Sequence, residues 1–182
     1  MSNAVSALNG ASFEGYVTVT DMGPAGMITL RGDLGSAAIK KAIGMAVPAP
    51  LKITSKGENS VAWMSPDELL ALCPYEVADE TAAKMTKALG KAHSLVANVS
   101  DARALIRLEG ADVREVLAKL TPADVAAMQP GDLRRSRLAQ IPAAFWLTDD
   151  ETAYVICFRS VAKYTFDLLT TVAAPSSKLA PT

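Results

Sequence analysis

Histidine is nearly missing from this chain: His93 is the single one in 182 residues. A metal centre needs several nitrogen, sulfur or oxygen donors at close spacing. One histidine and two distant cysteines, Cys73 and Cys157, offer no such pair, so no metal ligand is assigned. Neither cysteine has a histidine expected beside it, and Gly-x-Ser-x-Gly does not occur, which leaves nucleophilic catalysis without a carrier. A glycine-rich phosphate loop is also lacking; Gly23-Pro-Ala-Gly26 reads as a turn. Charge of either sign is not in excess, with 18 Lys+Arg against 19 Asp+Glu and a net charge of −1. No overall field therefore draws the chain to nucleic acid or to an anionic membrane. No apolar run approaches the roughly 20 residues that span a bilayer. The N-terminus lacks a basic region followed by an apolar core. The expectation is a cytoplasmic protein whose two cysteines are buried, reduced thiols.

What is present is apolar and repeated. Hydrophobic residues make up 50% of the chain, ample for a packed interior and enough to leave apolar surface for a partner. Self-association of the isolated chain stays open for the same reason. The stretch Val61-Ala-Trp-Met-Ser-Pro-Asp-Glu-Leu-Leu-Ala-Leu-Cys-Pro74 has an echo in Phe145-Trp-Leu-Thr-Asp-Asp-Glu-Thr-Ala-Tyr-Val-Ile-Cys-Phe158, offset by 83 residues at Trp63 and Trp146. Such self-similarity points to two copies of one unit. Alone, Ser65-Pro66-Asp67-Glu68 reads as a capped helix start. The second copy is rich in β-branched and aromatic residues after its acids, which is strand material. Both stretches are therefore read as strand, acidic turn, strand, with the two tryptophans as core anchors at equivalent positions.

In chain order, Phe13 to Val19 alternates as a strand, Asp21-Met-Gly-Pro24 turns, and Met27 to Leu30 is expected to return beside it. A helix with Leu34, Ala38, Ile39, Ala42, Ile43 and Ala46 on its apolar face follows Gly32, and Pro48 and Pro50 are expected to end it. Then come a hairpin about Lys56-Gly-Glu-Asn59, the Trp63 hairpin, and a helix from about Asp79 to Leu89. The order begins again at Leu95, where Val99-Ser-Asp101 matches Val19-Thr-Asp21 and Ile106-Arg-Leu-Glu-Gly110 matches Ile28-Thr-Leu-Arg-Gly32. Val113, Val116, Leu117 and Leu120 mark a helix, Thr121 to Val125 a short helical turn, Arg134 to Gln140 a strand. A last helix is expected to bury Val161, Tyr164, Leu168, Leu169 and Val172. The fold class is α+β, with two pseudo-symmetric β-β-α-β-β-β-α repeats, 13–92 and 93–174, in one domain spanning 13–174. Residues 1–12 and 175–182 are small and polar, and are expected to be flexible tails.

The acids Asp67-Glu68 and Asp149-Asp150-Glu151 could pair as carboxylates, but turn tips normally spend such residues on backbone amides. No catalytic residue is assigned to them. The contact candidate is basic: Arg135 and Arg137 share one face of a strand, and Arg159 follows a later one. Arginine forms bidentate pairs with carboxylates, so these three are the candidate partner or anion contact. The competing reading is a solvated sheet edge that resists aggregation.

Trp63-Met-Ser-Pro-Asp-Glu-Leu-Leu, Val116-Leu-Ala-Lys-Leu-Thr-Pro-Ala-Asp-Val125, Arg135-Ser-Arg-Leu-Ala-Gln-Ile141 and Phe158-Arg-Ser160 together carry a resemblance. From about Tyr16 to Val172 the chain resembles the gamma-subunit family of bacterial heterotetrameric sarcosine oxidases. Leu69 departs from that pattern, where a second tryptophan is frequent. The resemblance implies the two-repeat fold of the glycine-cleavage aminomethyltransferase and related folate-binding proteins. It also implies a non-catalytic structural subunit working with alpha, beta and delta subunits. That complex oxidatively demethylates sarcosine to glycine and passes the one-carbon unit to tetrahydrofolate. By the same resemblance FAD, FMN, NAD and tetrahydrofolate reside on the other subunits, with no cofactor in this chain. The rival reading is a free-standing folate-like or small-anion binding module built on the three arginines.

Overall fold

Two glycines at the ends of matched strands set where each repeat turns from sheet to helix. The computed structural model describes residues 4–179. In it strand β3 (Gly26–Arg31) runs into Gly32 and strand β8 (Arg103–Glu109) into Gly110, 78 residues on (110 − 32). Their φ angles are 158° and 150°, a region side chains avoid. A Cβ on Gly110 would lie 3.0 Å from the Tyr16 carbonyl oxygen, and one on Gly32 3.3 Å from that of His93. After each glycine a short amphipathic helix forms, α1 (Ala37–Ile43) and α3 (Val113–Ala118). Ser36 caps α1 by accepting from the Ile39 amide, and Gly44 stops it in the left-handed conformation.

The remaining elements follow the expected order. Strands β1 (Ser12–Phe13) and β2 (Thr18–Asp21) precede β3; β4 (Ile53–Lys56), β5 (Asn59–Ser65) and β6 (Glu68–Cys73) lead to helix α2 (Ala78–Leu89). The second repeat has β7 (Leu95–Asn98) before β8, then β9 (Leu133–Leu138), β10 (Ile141–Leu147), β11 (Thr152–Phe158) and helix α4 (Ala162–Ala173). Both Trp-containing stretches are antiparallel hairpins, β5–β6 and β10–β11. The chain is α+β, with sheets ordered β1-β2-β8-β11-β10-β9 and β4-β5-β6-β3-β7.

The order of pairing differs from the expected one. β2 does not return onto β3: it pairs with β8, and β7 pairs with β3. Each repeat thus lends its first strand to the other repeat's sheet. The compact units are residues 4–24 with 102–179, and residues 25–101, so they do not follow the repeat boundaries at 92 and 93. Both pairings bury the same alternating residues, which is why local pattern does not distinguish them. The register also moves one match: Asp21 faces Ile106 and Asn98 faces Ile28, so Asp21 corresponds to Asn98 and not to Asp101.

Each unit buries one sheet face under two helices. In the first, Val17, Ile106, Val116, Phe145 and Leu169 share a core; in the second, Ile28, Leu30, Ile39, Leu69 and Met85 do. The last helix is rotated from the expected stripe. Ala162, Thr165, Leu169 and Ala173 face inward, while Tyr164 is 45% exposed. Tyr and Val at the expected positions are apolar enough to mimic a stripe, but small residues allow the closer approach. Thr121 opens a turn and no helix, its hydroxyl accepting from the Ala123 amide. The lead-in is tied down across residues 5–12. Asp21 accepts from the Ser6 hydroxyl and, at 2.9 Å, from the Gly10 amide, while Arg159 donates to the Val5 carbonyl at 2.7 Å. Residues 175–177 form a 3₁₀ turn; the expected flexibility of 1–3 and 180–182 lies outside the described residues.

The two tryptophans are not equivalent. Cys73 pairs with Gly26 and Cys157 with Ala104, which aligns the hairpins at an offset of 84 (157 − 73). Trp63 faces Leu69 and Leu147 faces Ala153, so Leu147 is the counterpart of Trp63. The tryptophans lie 83 residues apart in a frame of 84, and a shift of one residue exchanges the faces. Trp63 is half-buried on the helix side, whereas Trp146 is 4% exposed on the other face and stacks on Tyr154 at 5.5 Å. Replacing Trp146 by Ala is expected to cost about 3–5 kcal/mol, and replacing Trp63 clearly less, as read by denaturant melts of each variant. Equal losses at the two positions would contradict this assignment of faces.

Candidate functional site

Arg135 and Arg137 stand on β9, an edge strand, and alternation places both on one exposed face. Leu138 and its neighbours of opposite parity turn toward the helices. Arg135 lies across from Ala144 and Arg137 from Pro142; Arg137 also reaches the Gln140 carbonyl at 3.4 Å. Arg159 follows β11, two strands away, about 10 Å at ordinary strand spacing. Its guanidinium is engaged by the Val5 carbonyl. The structure therefore brings Arg135 and Arg137 together and gives Arg159 a task in holding the N-terminal segment.

The acidic turns are occupied by local partners. Asp67 accepts from the Ser65 hydroxyl at 2.6 Å and from Arg31 at 2.7 Å. The Ser65 hydroxyl first, and Arg31 second, hold its carboxyl below the usual range. Asp149 accepts from the Glu151 amide at 2.9 Å, which lowers it likewise, and Asp150 pairs with Arg114 at 2.9 Å. Asp67 and Asp149, held ionised in this way, are poor proton donors near neutral pH. Both thiols are reduced and buried; burial pushes each pKa up against a weaker opposing hydrogen bond, from Thr81 to Cys73 and from Thr165 to Cys157. A thiol so raised is a weak nucleophile. His93 is exposed, and among the described residues no cluster of three His, Cys, Asp or Glu could hold a metal ion.

The densest titratable cluster was not among the expected residues. Glu115 and Lys119 lie one turn apart on and just after α3, paired at 2.7 Å. The single Tyr16 hydroxyl proton is shared between the Val172 carbonyl at 2.9 Å and Glu115 at 3.1 Å, and the hydroxyl oxygen accepts from Lys119 at 2.9 Å. Lys119 reaches the Ser177 carbonyl, Lys178 pairs with Asp112 at 2.6 Å, and the Leu179 amide donates to Glu115 at 3.0 Å. Both ammonium groups lie over the Tyr16 ring, at 5.2 and 5.5 Å. The signal was readable as a Glu and a Lys at i,i+4, but its other partners come from the two ends of the chain. The cluster is a clamp on the C-terminal segment.

Residues 31–175 match the model of the sarcosine oxidase, gamma subunit family. The chain belongs to that family. Two relatives, sarcosine oxidase subunits gamma from Corynebacterium sp. strains P-1 and U-96, are 31% and 29% identical over 144 and 147 residues. Each match covers 77% of this chain, and 70% and 69% of the relatives. Among solved structures, a chain of the heterotetrameric sarcosine oxidase from Corynebacterium sp. U-96, in complex with pyrrole 2-carboxylate, superposes with TM-score 0.83 at 24% identity. That superposition covers 94% of this chain and 91% of the other. Glycine cleavage system aminomethyltransferase T from Bartonella henselae gives TM-score 0.64 at 12% identity over 82% of this chain and 44% of its own. The fold of this gamma-family chain is thus shared with the aminomethyltransferase.

The clamp has a defined pH response. Glu115 is held at about 2, chiefly by Lys119 and next by the Leu179 amide. Unfolded glutamate titrates near 4.3. A carboxyl with a lowered folded pKa contributes stability that is complete above about 4.3 and is lost as pH falls through about 2. The Leu179 amide resonance should accordingly hold its position from neutral pH to about 4.3 and titrate with a midpoint near 2. A midpoint at the ordinary glutamate value would sink the clamp.

Proposed function

We propose that this chain is the gamma subunit of a heterotetrameric sarcosine oxidase and acts there as a non-catalytic structural subunit. The observation that carries this reading is the family match across residues 31–175. The likeness to a chain of the Corynebacterium enzyme over 94% of the length supports it. On this reading the partners are alpha, beta and delta subunits in the cytoplasm. FAD, FMN, NAD and tetrahydrofolate are carried by those partners. The complex oxidises the N-methyl group of sarcosine, releases glycine and passes the one-carbon unit to tetrahydrofolate. Turn carboxylates engaged by backbone amides or arginine, and thiols raised by burial, suit a subunit that takes no proton-transfer or nucleophilic part. Arg135 and Arg137, side by side on an exposed strand edge, are the proposed contact for an acidic strip on a partner subunit.

A tagged copy expressed with the other subunits should co-elute with them as one flavin-containing assembly. The purified chain alone should show neither flavin absorbance nor sarcosine-dependent peroxide. Arg135→Glu with Arg137→Glu should weaken co-elution at least about tenfold, by reversal of two interfacial charges, while leaving the melting temperature in place. Turnover of sarcosine by the chain alone would end the reading. The paired arginines also suit a folate-like or small-anion module, so titration with tetrahydrofolate separates the two. Micromolar binding by the isolated chain, abolished by the same double variant, would favour the module.

A further inference from the structure

The shared register allows residue-by-residue comparison of the two sheets, and at one point their cores differ in volume. In the six-stranded sheet Phe145 pairs with Val155, and both are fully buried beneath the helices. The corresponding pair in the five-stranded sheet, 84 positions earlier, is Val61 with Ala71. Several neighbouring positions match: Cys73 and Thr81 stand where Cys157 and Thr165 stand, and Met85 where Leu169 does. Both members of the pair are smaller here, and Trp63, larger than its counterpart Leu147, does not line the space. A cavity of about 360 Å³ opens there between the end of α1, α2 and the hairpin β5–β6. That volume lies at the lower end of the range for small-molecule sites.

Its chemistry is divided. Val61, Ala71, Ile43 and Met85 form an apolar floor, while Lys56 and Lys84 stand among its lining with Asn59. In the other sheet the positions of Lys56 and Asn59 are held by Ser136 and Ala143. Cationic and amide groups therefore stand beside the smaller pair. No carboxylate is among the described lining residues. Lys84 pairs with Glu80 at 2.7 Å, but both side chains are well exposed, at 71% and 65%. Such a surface pair contributes little and yields readily to another anion. An apolar floor with a few polar groups at the rim is the usual composition of a ligand cleft.

We propose that this cleft binds a small monocarboxylate with an apolar body, its chain against Val61, Ala71 and Met85 and its carboxylate between Lys56 and Lys84. The probe is octanoate, titrated into the full chain by calorimetry and by NMR of the methionine methyl groups, with octylammonium as the control of opposite charge. Octanoate should bind once per chain with Kd below about 1 mM and shift the Met85 methyl, while octylammonium should not. Val61→Phe restores the side chain of the filled sheet. It should abolish binding with the melting temperature held or raised. Lys56→Gln with Lys84→Gln should weaken binding at least about tenfold. If Val61→Phe fails to fold, Ala71→Val narrows the same space and should reduce affinity. Absence of saturable binding, equal binding of octylammonium, or unchanged affinity in a folded cavity-filling variant would each overturn the proposal.

Discussion

Antiparallel pairing of β2 with β8 and of β7 with β3 is the constraint on which the rest of this structure depends. Thr18 meets Glu109 and Leu95 meets Arg31, so both ladders join residues from different repeats. Backbone amides and carbonyls must find partners once buried, and β8 has β11 on one side only. Without β2 its other edge, carrying Ile106 and Leu108, would lie open, and β3 without β7 would be in the same state. The exchange closes both edges. It also means that the chain cannot be cut between repeats without removing a strand from each sheet. Bringing such distant segments together costs loop-closure entropy, recovered only when both ladders form.

Much of the polar chemistry serves that closure. Asp21, at the end of the exchanged β2, gathers the Ser6 hydroxyl and the Gly10 and Gly23 amides. Asn98, its counterpart at the end of β7, accepts from the Ser100 amide and donates to Asp79. In both places a short polar side chain satisfies the backbone where a ladder stops. The Tyr16, Glu115 and Lys119 cluster fastens the segment before β2 to the end of the last helix. A Cβ on Gly15 would lie 2.1 Å from the Ala173 carbonyl, so that approach also depends on glycine. Glu115 and Lys119 hold each other in the charged state, which suits a scaffold.

Register and side-chain volume have followed different courses in the two repeats. Pairing keeps one offset along matched strands, 78 at Gly32 and Gly110 and 84 at the two cysteines. The change between them is absorbed in the loops. Within that frame Phe145 became Val61 and Leu147 became Trp63, or the reverse. A backbone frame tolerates such substitution because hydrogen bonding is independent of side-chain size, while the core must repack or leave space. The family resemblance belongs to the frame; the cleft belongs to one repeat alone.

Sequence determined the elements. Alternation marked the strands, the acidic turns marked both hairpins, and Gly32 and Gly110 marked the passage from strand to helix. These are local signals, set by backbone sterics and by periods of 2 and 3.6 residues. Arg135 and Arg137 were legible as neighbours for the same reason, since alternation alone puts them on one face. Tertiary structure decided which strand each strand met. The residues buried are the same whether β2 returns on β3 or crosses to β8, so no local pattern carries that choice. It also decided the facing of Trp63 and Trp146, because they stand one residue out of register in the paired frame and a one-residue shift exchanges two faces. The inward side of the last helix was settled likewise, by close approach that Ala162, Thr165 and Ala173 permit and Tyr164 does not. The clamp at Glu115 and the cleft at Val61 lay further out of reach. Each is made by side chains far apart in the chain, whose meeting is a consequence of the strand exchange and of packing volume.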